Sequence, residues 1–104
     1  MNKRLALLEK LVSAGQADAF ARYGLAMEYR SEGRLDDALA QFSSLRATDP
    51  GYVPQYLMTG QVLVGLGRVE EAKAILSEGI AVARKAGNSH AISEMESVLA
   101  GLDP

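Results

Sequence analysis

Gly33-Arg34-Leu35-Asp36-Asp37-Ala38-Leu39-Ala40 recurs as Gly67-Arg68-Val69-Glu70-Glu71-Ala72-Lys73-Ala74, 34 residues further along the chain. The Gly-Arg pair and both alanines repeat identically, and the acid pair repeats by charge. A period of this length marks stacked supersecondary units, each unable to bury its apolar face alone. That architecture points to binding rather than to chemistry.

Working outward from the repeated phrase, the spacing predicts about six helices in three pairs. Each copy opens a helix: the acid pair falls in the first turn, where negative charge meets the positive end of the helix dipole. Ala38, Phe42 and Leu45 then form the inner stripe of one helix, and Ala72, Leu76 and Ile80 that of its counterpart. Gly33 and Gly67 end the helices that come before. The first of these starts behind Asp18, a side chain suited to capping free amides, and shows Leu25, Ala26 and Tyr29 inward. The second starts at Pro54, whose missing N–H costs nothing in a first turn, and runs to about Leu66. Asp49-Pro50-Gly51 separates the two units, because proline disfavours helix in the residue before it. Upstream, Leu5, Leu8, Leu11 and Val12 predict a leading helix over about Lys3 to Ala14, closed by Gly15. Downstream, the helix begun by the second phrase continues to about Ala86. Asn88 or Ser89 then caps a last helix with Ile92, Met95, Leu99 and Leu102 on one face and Ser93, Glu94, Glu96 and Ser97 turned outward. No period-2 run of β-branched residues signals a strand.

Two antiparallel helices must approach closely at their crossing, and small residues permit it. Ala26 with Ala38, and Gly60 with Ala72, hold those places. Glycine inside a helix costs about 1 kcal/mol relative to alanine, which gives Gly60 a packing reason.

Composition narrows the function classes. The 104 residues suffice for one domain with a modest core, and 48% are apolar, as in a folded chain. Eleven basic residues are scattered among thirteen acidic ones, so no nucleic-acid footprint is expected. Cysteine is absent, which excludes disulfides and thiolate metal sites. Asn2-Lys3-Arg4 precedes an apolar run, but Glu9 and Lys10 break it after about four residues where an export segment needs roughly 7–15. No run nears the roughly 18 residues that span a bilayer. A cytoplasmic location and no membrane partner are expected.

Leu25-Ala26, Tyr29, Gly33, Ala38, Phe42, Leu45 and Pro50 resemble one tetratricopeptide repeat. Tyr56, Gly60, Leu63, Gly67, Ala72 and Leu76 resemble a second, with departures: Thr59 stands for the usual leucine, Gly79 for the usual alanine and Arg84 for the closing proline. The resemblance implies an all-α fold, a right-handed superhelical array of antiparallel helix pairs. It divides one domain, 1–104, into a leading helix (1–16), two repeats (17–52 and 53–86) and a capping helix (87–104). In this family the first helix of each pair lines a concave groove that holds a peptide or a partner's helix. Carried over by position, the groove presents Phe20, Tyr23, Met27 and Arg30 from one repeat and Leu57, Met58, Gln61 and Val64 from the other. The lysine, arginine and asparagine with which one subgroup grips a C-terminal carboxylate are not at these places, so a clamp of that kind is not expected. The groove reads as largely apolar, with methionines that adapt to varied shapes and Arg30 placed to orient an acidic group. Two readings stay open: an exposed groove, or one across which the leading helix lies.

Catalytic constellations are not found. His90 is the only histidine, so neither a two-histidine metal site nor a triad can be built; with Glu94 one turn away it reads as a surface pair. Asp36-Asp37 and Glu70-Glu71 are explained by the helix dipole. The ten glycines form no phosphate-cradling loop. The expectation is a non-enzymatic protein–protein interaction module, adaptor or co-chaperone-like, without cofactor or metal, monomeric or a weak homodimer. Its alternatives are a structural self-association module and an accessory subunit of a larger assembly.

Overall fold

The computed structural model describes residues 2–102; Met1, Asp103 and Pro104, the outermost residues of the expected leading and capping segments, lie outside them. Among the described residues there are six helices and no strand: α1 (Lys3–Ser13), α2 (Ala19–Ser31), α3 (Leu35–Thr48), α4 (Pro54–Gly65), α5 (Val69–Ala86) and α6 (Ser89–Leu102). They fall into two compact units, Met1–Asp49 with α1 to α3 and Pro50–Pro104 with α4 to α6.

Local chemistry sets the helix ends. The Asp18 carboxylate accepts from the Ala21 amide at 2.8 Å, and the Asn88 side chain accepts from Ala91 at 3.0 Å. Pro54 occupies the first turn of α4. At the end of α2, Gly33 takes a φ of 75°, its amide reaches the Arg30 carbonyl, and the Arg34 amide reaches Tyr29 at 2.9 Å. Gly67 does the same after α4 with a φ of 76°, its bonds running to Val64 and from Arg68 to Leu63. Both are turns in which a left-handed glycine lets two further amides satisfy the last carbonyls. The repeated Gly-Arg is thus a helix stop, and the acids behind it begin the next helix. Arg34 bonds to Asp37 through Nε at 2.9 Å, and Arg68 bonds to both Glu71 oxygens, through Nε at 2.6 Å and Nη2 at 2.7 Å, so the i,i+3 pair recurs at both copies.

In the first unit α2 packs along α3. Ala26 and Ala38 are wholly buried, with Leu25, Tyr29, Phe42 and Leu45 around them. The Tyr23 ring meets Phe42 with centroids 6.2 Å apart. α1 packs on α2 through Leu5 and Leu8, and a polar seam lines that contact. Arg4 pairs with Glu28 at 2.8 Å. Asn2 donates to Glu28 and Glu32, and the Tyr29 hydroxyl donates to Glu9 at 2.7 Å.

In the second unit α5 packs against both α4 and α6. Ala72, Ile75, Leu76, Gly79, Ile80 and Ala83 are its buried residues. Leu76 presses on Gly60, where a methyl would sit 2.6 Å from the Leu76 Cδ2 atom. Gly79 is tighter: a methyl there would land on Tyr56 Cβ and lie 2.7 Å from the Met95 sulfur. Glycine at this place lets α4 and α6 both close on α5. Tyr56 is buried and its hydroxyl donates to the Pro50 carbonyl. Thr59, in the place of a leucine, returns its hydroxyl to the Gln55 carbonyl at 2.7 Å, the bond by which a mid-helix threonine satisfies itself.

Five pairs of residues 34 apart are buried in both hairpins. Ala26 and Gly60, Tyr29 and Leu63, Ala38 and Ala72, Phe42 and Leu76, and Leu45 and Gly79 are all buried.

Candidate partner-binding faces on α2 and α4

Phe20, Tyr23, Met27 and Arg30 follow one another along α2 at steps of three, four and three, which places them on one side of the helix. Phe20 is 69% exposed, and the other three are half-buried. The contacts that α2 makes with α1 use Gly24, Glu28, Tyr29 and Glu32, which lie on the neighbouring side. α1 therefore braces α2 laterally and leaves Phe20 open.

On α4, Leu57, Gln61 and Val64 form the corresponding stripe, with Met58 beside it; all four are half-buried. Pro54–Gly65 contains no charged residue. Leu57 and Gln61 look across a cleft of about 350 Å³ to α6, whose His90, Ser93, Glu94, Ser97 and Val98 form the other wall. His90 Nε2 is 3.1 Å from the Glu94 carboxylate. Four of these α6 residues carry polar side chains, and Ser93, Glu94 and Ser97 belong to the side read from the sequence as turned to solvent. They do face water, but as a cleft wall. Their spacing at 90, 93/94 and 97 was the available signal; what the sequence lacked was the position of α4.

Electrostatics elsewhere is structural. Burial and the hydrogen bond to Glu9, with its charge, push the Tyr29 hydroxyl up to about 12, and the Arg34 guanidinium, 4.5 Å above the ring centre, opposes the rise. The Arg68 guanidinium holds the Glu71 carboxyl below the usual carboxylate range. Among the described residues no group of three histidines or acids is placed to hold a metal ion. No described helix is long and apolar enough to cross a membrane.

Two helix hairpins built in one register, each packed with one further helix, define a helix-pair repeat protein. The tetratricopeptide repeat family model matches residues 29–94, and the chain belongs to that family. A tetratricopeptide-repeat-containing protein of Pseudomonas aeruginosa is 28% identical over 96 residues, which cover 92% of this chain and 91% of that protein. The crystal structure of a tetratricopeptide repeat domain protein from Salinibacter ruber is 35% identical, with a TM-score of 0.78 over 83% of this chain and 96% of its own. A solution structure from Bordetella parapertussis has a TM-score of 0.85 at 24% identity, covering 98% of this chain and 89% of its own, a likeness of fold. Proteins of this family are generally non-catalytic scaffolds that bind protein partners.

Proposed function

We propose that the chain is an adaptor or co-chaperone-like module that holds a peptide or helix of a partner protein against the outward faces of α2 and α4. One observation carries this reading. With the hairpins closed, α2 leaves Phe20 69% exposed and Tyr23 and Met27 half-buried, and α4 leaves Leu57, Met58 and Val64 half-buried. Helices need no such residues on a solvent side, and methionine and aromatic side chains suit a surface that grips varied partners. The mode is apolar anchoring of an extended or helical segment. A cytoplasmic site of action, with the protein monomeric or weakly dimeric, fits the same reading.

The test is capture from lysate with the natural protein and a Tyr23→Ala, Leu57→Ala double variant of verified helicity. Partners held by the natural protein and lost by the variant support the reading; equal retention overturns it.

A second reading, self-association, is favoured by Leu7, which is 58% exposed on α1. Light scattering across concentrations separates the two: a mass that stays at one chain removes it.

A further inference from the structure

The cleft between α4 and α6 combines two chemistries. Leu57 and Val98 give it apolar walls, while Ser93, Ser97 and the Glu94 carboxylate bring oxygen atoms to it. Apart from the His90 imidazole, Glu94 is the one ionisable group among the described residues lining it, and its side chain is 47% exposed. The arginines and lysines of this unit lie elsewhere. Arg68 is with Glu71, Lys73 is with Glu70, Arg84 is with Glu96 across the α5–α6 contact, and Lys85 stands in the last turn of α5. Among the described residues of this unit, the cleft thus offers a negative charge with no lysine or arginine lining it.

A long basic side chain matches that pattern. Its methylene stem packs on apolar surface while its head, rich in donors and lacking acceptors, seeks carboxylate and hydroxyl oxygens. We propose that this cleft is a subsite for one lysine or arginine side chain of the partner segment. The stem lies along Leu57 and Val98, and the cationic head bonds to Glu94, with the two serines as further acceptors. His90 holds one side of the carboxylate and leaves the other for the incoming cation. This rests on the partner-binding reading above and adds to it the charge of the residue the second unit selects.

The experiment uses two synthetic peptides that share a leucine stripe and differ only in carrying lysines or glutamates beside it. Each is titrated into the isotope-labelled full chain, with the backbone amides as readout. The lysine peptide is expected to bind about tenfold more tightly, shifting Leu57, Gln61 and Glu94. Glu94→Gln should remove most of that preference. Glu96→Gln, which alters the α6 carboxylate paired with Arg84, should keep it. Equal affinity for the two peptides, or a preference that survives Glu94→Gln, overturns the subsite but leaves the partner-binding reading intact. If neither peptide moves the amides of α2 or α4, both fall.

Discussion

Alanine at position 79 would add one methyl where Tyr56 and Met95 already meet α5. The gain in helix propensity is about 1 kcal/mol, and overpacking costs about 1–3 kcal/mol. Because a Cβ atom beside the backbone cannot swing away, packing should win, and Gly79→Ala should lower the urea midpoint. Gly60→Ala meets the Leu76 side chain, which has rotamers to move through, so its loss should be smaller. Ala72→Leu, at a wholly buried crossing, should cost about 1–3 kcal/mol for the same reason. Tyr29 makes a pH prediction. Its hydroxyl lies at about 12 in the folded chain, against about 10 in an unfolded one. Between those values the unfolded chain has released a proton that the folded chain retains, so stability contributed by this group is whole below about pH 10 and falls between about pH 10 and 12. Denaturant melts over that range should show the fall in the natural protein and a smaller one in Tyr29→Phe. At neutral pH the same substitution should cost about 1.5–3 kcal/mol, the worth of a hydrogen bond to a carboxylate.

The helices are bounded by chemistry that is local, and this is why their ends were legible. Gly33 and Gly67 occupy the left-handed region that other residues enter only at about 1–2 kcal/mol. Gly33→Ala and Gly67→Ala should therefore lose similar amounts in chemical denaturation, since both play one part in two copies. Asp18, Pro54 and Asn88 likewise act within a turn of themselves. What escaped the sequence depends on distant partners. Gly79 read as a departure from the family pattern, and its reason is Tyr56 and the Met95 sulfur, brought in by two other helices. Arg4, Glu9 and Glu28 read as scattered charge, and they join α1 to α2. Ser93, Glu94 and Ser97 carry no mark that distinguishes a cleft wall from a plain solvated side, because the difference lies in α4. Of the candidate site, the α2 and α4 stripes follow from periodicity and resemblance, whereas the α6 wall required coordinates.

At the scale of the whole molecule, a chain of 104 residues with a net charge of -2 and no cysteine has placed its regular chemistry in scaffolding and left its irregular residues outward. Five buried pairs match in place between the hairpins, while along the half-buried stripes Tyr23, Met27 and Arg30 stand where the second copy has Leu57, Gln61 and Val64. Different side chains at matching places suit recognition, so these stripes are where a partner is expected to meet the chain. The most direct measurement is amide mapping of the isotope-labelled full chain with a captured partner segment bound. Shifts should concentrate at Tyr23, Met27, Arg30, Leu57, Gln61 and Val64, with the solvent sides of α3 and α5 unmoved. Shifts confined to α1, α3 or α5, with those six residues silent, would contradict the account.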